Sequence, residues 1–280
     1  MTHLFQAKEK QTDTQTEAYQ ATQHLLRRII PPELYYPLRT LSRQYPFFFL
    51  PLARWRWNRW RSKYCADPNA PEPAAPEPLD KKTEIVIEAY PRCGNTFAQV
   101  AFQFAQQRQV KIGHHTHAAA QVIAAVKNKI PTLVLIRDPE DTIVSYLVGG
   151  FDPGLTVKQA LREYISFYGL IMPYRQGLVL ATFDELKSDY GAVIRRVNER
   201  YKTHFEEFEH TKVNVRHCFR LIDAGYQNAF GELSTKVVSR PAPERIALQQ
   251  HLRQQFQQAN VESVRTKAYQ IYAELLSQSL

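Results

Sequence analysis

The stretch Glu84 to Phe97, EIVIEAYPRCGNTF, decides the fold. Its first half, Glu84 to Tyr90, is a β-branched run stopped by Pro91, which predicts a buried strand. From Thr96 to Arg108 the spacing becomes helical, with Phe97, Val100, Ala101, Phe104 and Ala105 on one face. A strand that feeds a short loop and then a helix is the first half of a parallel crossover. Further along, Thr132 to Ile136 (TLVLI) and Leu178 to Phe183 (LVLATF) are continuous apolar runs, as expected of strands buried on both faces. Helical patterns lie between them, within Ala118 to Asn128, Glu140 to Leu147 and Val157 to Met172. From Pro241 the chain reads as two helices broken near Asn260. The pattern predicts an α/β fold: a P-loop-like three-layer α/β/α arrangement around a mainly parallel sheet.

Upstream, Cys65 to Asp80 (CADPNAPEPAAPEPLD) holds five of the chain's 17 prolines with alanines and acids between them, which reads as a linker. The expected organisation is therefore a basic aromatic N-terminal extension over 1–64, a linker over 65–82 and an α/β domain over 83–280. Within the extension, residues 17–30 have amphipathic helical spacing up to Pro31 and Pro32. Residues 45–61 interleave Trp55, Trp57 and Trp60 with Arg54, Arg56, Arg59 and Arg61. Indole rings and guanidinium groups together suit an anionic membrane surface, and equally they could pack on the following domain.

With 280 residues and 44% hydrophobic composition, the chain has enough material for a sizeable core. The net charge of +9 divides into +7 over residues 1–64, −4 over 65–80 and +6 over 81–280, so it is spread by segment and does not mark the domain as a nucleic-acid binder. Cys65, Cys93 and Cys218 have no C-x-x-C spacing and cannot all pair, which disfavours a disulfide scaffold and favours a reducing, cytoplasmic setting. The start lacks the basic-then-apolar order of a signal peptide, and the longest apolar run, Pro46 to Ala53, is too short to span a bilayer.

Two segments carry candidate chemistry. The loop Tyr90 to Thr96 joins a strand to a helix N-terminus, where free N–H groups and the helix dipole favour an anion; Gly94 permits close approach, and Arg92 and Thr96 add a charge and a hydroxyl. It lacks the first glycine and the Lys of a triphosphate-binding P-loop. In the second segment, Arg137 stands at the end of a strand and Ser145 about two turns into the helix that Asp138-Pro139 begins, so both could serve one phosphate. The competing reading is that Asp138 only caps the helix and Arg137 pairs across the cap. Between the two segments, His114-His115-Thr116-His117 offers imidazoles with an ordinary pKa near working pH. A His-x-His pair can also hold zinc, yet no Asp, Glu or Cys lies within ten residues on either side, so no metal is expected.

Together these segments resemble the signature motifs of the sulfotransferases that use 3′-phosphoadenosine 5′-phosphosulfate (PAPS), in their bacterial and carbohydrate-type branches. Pro91-Arg92-Cys93-Gly94-Asn95-Thr96-Phe97 looks like the 5′-phosphosulfate loop, and Arg137 to Ser145 like the 3′-phosphate element. His114 to His117 stands where that family carries its catalytic base, and Thr182 to Leu186 looks like its segment near the adenine. The resemblance covers about residues 83–245. It implies His117 as base with His115 in reserve, and Arg92 for transition-state and leaving-group charge. For the donor it implies Arg92, Cys93, Gly94, Asn95, Thr96 and Phe97 in the loop, Arg137 and Ser145 at the 3′-phosphate, and Phe183 near the base. Cys93 replaces the usual Ser, and the C-terminal Arg-Lys-Gly clamp of the cytosolic members is missing, with Arg240 or Arg245 as its stand-in. The implied activity is transfer of a sulfuryl group from PAPS to a hydroxyl or amine, releasing adenosine 3′,5′-bisphosphate (PAP). Two other readings compete: a P-loop kinase of a small metabolite, which would need magnesium and a loop Lys, and a non-catalytic module whose basic aromatic segment binds anions or membrane. The acceptor and the oligomeric state are not readable from these residues.

Overall fold

A computed structural model describes residues 30–64, 76–150, 152, 154–230 and 245–277. Among the described residues the first elements are α1 (Pro32–Ser42) and α2 (Pro46–Tyr64), followed by β1 (Ile85–Ala89). There follow α3 (Asn95–Ala105), β2 (Ile112–His114), α4 (Ala119–Lys127), β3 (Thr132–Ile136), α5 (Pro139–Gly149) and α6 (Val157–Ile171). A 3-10 turn at Met172–Gly177 leads to β4 (Val179–Thr182), α7 (Phe183–Ser188), α8 (Tyr190–Tyr201) and α9 (Lys212–Phe230). The C-terminal part holds α10 (Ile246–Phe256) and α11 (Glu262–Ser277), separated by a 3-10 turn at Ala259–Val261. The amphipathic segment 17–30 lies outside the described residues.

All strand pairings in this four-stranded sheet are parallel, in the order β2-β1-β3-β4. Every residue of β1 and β3 is buried, which is why these strands read as unbroken apolar runs. Strand periodicity sends Ile85, Ile87 and Ala89 to one face and Val86 and Glu88 to the other. On the first face α3 joins Phe208 and α8 through Phe97, Phe208 and Tyr190. On the second, α4 and α6 pack together, α6 contributing fully buried Tyr164 and Tyr168. The α/β expectation is thus met, with helices on both faces of a parallel sheet.

Order 2-1-3-4 means the chain leaves β1 toward one edge and β3 toward the other. The crevice between the C-terminal ends of β1 and β3 is therefore the topological switch point, where open α/β sheets leave room for a ligand. The loop Tyr90 to Gly94 and the residue Arg137 follow those two strands.

The N-terminal helices were not foreseen, because Pro37 and Pro51 lie inside them. Pro32, read as a stop, occupies the first turn of α1, where its missing N–H costs nothing. Helix α1 docks through Tyr36, 2% exposed, and through Arg39, whose guanidinium bonds Asp152 at 2.7 Å and both oxygens of Glu163 at 2.6–2.7 Å. Tyr146 donates its hydroxyl to the same Asp152. Helix α2 buries Leu50 beside Ala124 and Ala125 of α4, and its Trp57 is also buried. Residues 76–82, read as the end of a linker, lie against the domain. Glu77 forms an antiparallel bridge with His114, Leu79 is buried, and Lys111 pairs with Glu77 and Asp80.

Candidate active site at the switch point

The loop after β1 is built by a strained backbone. Arg92 has φ 71° and Gly94 φ 94°, both left-handed, so the chain doubles back and α3 starts at Asn95 with no side chain capping its N–H groups. Gly94 is required by space as well as by φ: a Cβ there would meet Leu186 Cδ2 at 2.5 Å and the Phe183 ring at 3.1 Å. Arg92, His115 and His117 account for three of the non-glycine residues with positive φ among those described; Lys129 and Lys202 are at helix C-termini. Strain gathered in this way is characteristic of sites whose surroundings over-determine them.

Four of the foreseen residues converge around Arg92. Its Nε donates to Ser145 Oγ at 3.2 Å, and its carbonyl accepts from Arg137 Nη1 at 3.3 Å. The Arg137 guanidinium lies 4.4 Å from the centre of the Phe183 ring, and Phe183 in turn covers Gly94. Asp138 does cap α5, accepting from Asp141 N–H at 3.0 Å, and Arg137 Nη2 stands 3.7 Å from Asp141, as the competing reading of this segment expected. Tyr164 donates to the Arg137 carbonyl and Tyr168 to that of Leu135, which fixes the end of β3 from α6.

Others of the foreseen residues face elsewhere. The Cys93 thiol is fully buried, 3.4 Å from Tyr168 Oη, and burial raises its pKa, so position 93 offers a ligand only backbone. Phe97 packs on Phe208 and Phe219 on the α9 side. The Asn95 amide is a brace: its nitrogen donates to the Ile87 carbonyl at 3.0 Å and its oxygen accepts from His115 N–H at 3.2 Å. Arg245 is buried at the start of α10, with one terminal nitrogen lacking a partner, and it shares no hydrogen bond with Ser145. Arg240 lies outside the described residues.

The histidines form a chain along the end of β2. Thr96 Oγ1 contacts His115 Nε2 at 2.9 Å, and His115 Nδ1 contacts His114 Nδ1 at 2.8 Å, so one of these two rings carries the shared proton. His117 differs. Its Nδ1 stands 2.7 Å from the Ala89 carbonyl, which only accepts, so Nδ1 carries the proton and Nε2 keeps its lone pair. Burial lowers all three imidazoles, His114 to about 3 and His117 to about 4, with Arg43 adding to the effect at His117. About a quarter of the His117 side chain (23%) still reaches solvent.

Glu88, in the middle of β1, gave no sign in sequence beyond a charge in a buried run. Its carboxylate accepts from Thr116 N–H and Oγ1, both at 2.7 Å, from Gln121 Nε2 at 3.0 Å, and from the N–H groups of His117 and Ala89 at 3.2 Å. It therefore clamps the turn that presents His115 and His117. Burial raises its pKa to about 7 in spite of these donors.

Compared with known proteins, the chain matches no family model and no curated sequence. Among solved structures it is similar to a mouse sulfotransferase, SULT7A1, complexed with PAP, at 10% identity and a TM-score of 0.37, over 71% of this chain and 91% of that one.

Proposed function

We propose that the chain is a PAPS-dependent sulfotransferase. The observation that carries this reading is the convergence of Arg92, Arg137 and Ser145 with the uncapped N-terminus of α3 at the β1/β3 switch point. A donor with a phosphosulfate and a separate 3′-phosphate needs two anion-binding groups on one sheet edge, and the loop with Arg92 and the neighbouring Arg137 and Ser145 are the candidates for them. The loop N–H groups of Gly94, Asn95 and Thr96, with Arg92, hold the phosphosulfate; Arg137 and Ser145 hold the 3′-phosphate, and Phe183 stacks beside the base.

In the reaction the acceptor hydroxyl, or an amine in its place, gives its proton to His117 Nε2 as its heteroatom bonds to sulfur. The bond between sulfur and the phosphate oxygen breaks, and the electron pair leaves on the 5′-phosphate of PAP, where Arg92 meets the charge. Sulfuryl transfer is loose and in-line, like phosphoryl transfer, so positioning and charge dominate. Depression of the His117 pKa keeps the ring neutral at working pH, and Glu88 and Ala89 set its place.

Calorimetric titration with PAP, against AMP and against ATP with magnesium, tests the donor site without knowledge of the acceptor. The expected result is micromolar binding of PAP that weakens at least tenfold for AMP and for Arg137→Ala. Tighter magnesium-dependent binding of ATP, or no preference for the 3′-phosphate, would overturn the reading.

We also propose that α2 rests on an anionic membrane surface. Phe47 (81%), Phe48 (70%), Leu52 and Trp55 are exposed on it, alongside Arg56 and Arg59, although Trp57 is buried. No helix among the described residues is long and apolar enough to cross a membrane.

A further inference from the structure

His117 lines an opening on the α6 side. A cleft of about 20 Å³, the space of one or two ordered waters, lies between the end of α1, the start of α4 and the middle of α6. Thr40, Arg43, Tyr90, His117, Glu163 and Ser166 contribute to its wall. Its size admits the end of a ligand, a head group rather than a ring.

Arg43 is the distinctive group in this wall. Its backbone is fixed: the N–H bonds the Arg39 carbonyl, and the carbonyl accepts from Ala120 N–H at 3.0 Å, at the helix start that His117 precedes. Among the described residues, its guanidinium has no hydrogen bond and no ion pair. The nearby carboxylates do not serve it. Both oxygens of Glu163 are taken by Arg39, and Asp152 receives Arg39 and Tyr146. Burial first, and then the Arg39 charge, disfavour the charged form of Arg43, a cost that an incoming anion relieves. Five N–H donors in a rigid fork fit an oxyanion in two-point contact.

We propose that Arg43 is an acceptor-binding residue, and that the acceptor carries an oxyanion, such as a carboxylate, seated on Arg43 in the cleft while its nucleophilic hydroxyl faces His117. This rests on the sulfotransferase reading for the word acceptor, whereas the anion site stands on the cleft alone. Arg43 would then choose among hydroxyl compounds by charge: an acid is held, and its ester leaves the half-buried cation unpaired. The same contact brings a negative charge near His117 and raises the basicity of Nε2.

The test uses the full chain with glycolate and its methyl ester as probes, small enough for the cleft. With the Arg43 Nε–H signal followed by NMR, the acid is expected to shift that resonance saturably and the ester to leave it in place. In PAPS turnover the acid should show a KM at least tenfold below the ester, a ratio that collapses toward one in Arg43→Gln and is partly restored in Arg43→Lys. Equal KM values for acid and ester, or an unmoved Arg43 signal with the acid, would overturn the proposal. A parallel PAP titration separates the two readings: an Arg43 shift without PAP binding removes the sulfotransferase assignment and keeps the anion site, while PAP binding without an Arg43 shift does the reverse.

Discussion

His117 and Glu88 show how single groups set this site. Because the Ala89 carbonyl can only accept, His117 at neutral pH must be the Nδ1–H tautomer, and its protonation midpoint is expected near 4, well below the ordinary imidazole value. Long-range 15N NMR against pH reads both; an Nε2–H ring would remove His117 as the base, and a midpoint above 6 would mean that burial does not depress the imidazole. Glu88 has the opposite sign. Its folded-state pKa, about 7, is raised above the unfolded value, so the stability it contributes is complete below about 4.5 and is lost as pH rises through 7. Between pH 5.5 and 8 this amounts to about 2 kcal/mol. Glu88→Gln cannot ionise, and its terminal NH₂ faces N–H donors, so the variant should be less stable at low pH yet lack this Glu88-dependent decline. Urea unfolding at the two pH values compares them, and an equal decline in both proteins would mean that Glu88 is not the group titrating.

At the scale of the element, the parallel core was legible and its flanks were not. Strands β1, β3 and β4 and helices α3 to α6 announce themselves because burial on both faces leaves continuous apolar runs, and Gly94 and Asp138-Pro139 punctuate them. Strand β2 escapes because Ile-Gly-His is three residues long and its pairing with Ile85 to Ile87 is non-local. The loop and Arg137 were readable since both lie at strand ends, but the contact of Arg43 with the cleft depends on how α1 docks, which no local pattern reports. That docking rests on the Arg39 fork. Arg39 and its partners Asp152 and Glu163 have side-chain exposures of 9%, 7% and 8%, so removing the cation strands two carboxylates out of water. Arg39→Ala is expected to cost about 3–5 kcal/mol, far beyond a surface pair. Chemical denaturation gives the number, and a loss below 1 kcal/mol would mean that α1 is held by Tyr36 and its apolar neighbours instead.

Over the whole molecule, charge and apolar surface are distributed unevenly. The first 64 residues carry +7, and within them Phe47, Phe48, Leu52 and Trp55 face water on α2 while Arg39 and Tyr36 tie α1 to the domain that holds the site. A surface of this kind on a rigidly docked helix would orient the switch-point crevice relative to a bilayer. Each arginine near an anionic membrane contributes about 1 kcal/mol, so Arg56→Gln with Arg59→Gln should weaken binding to phosphatidylserine-containing vesicles by roughly 30-fold at low salt, and less at high salt. Phe47→Ser with Phe48→Ser removes the apolar contribution and should weaken it at every salt concentration. Vesicle sedimentation at two ionic strengths separates the two effects, with PAP titration of the same variants as the check on the site, which these residues do not line. If both pairs of substitutions leave sedimentation unchanged, α2 does not meet the membrane, and its exposed aromatic face requires another occupant.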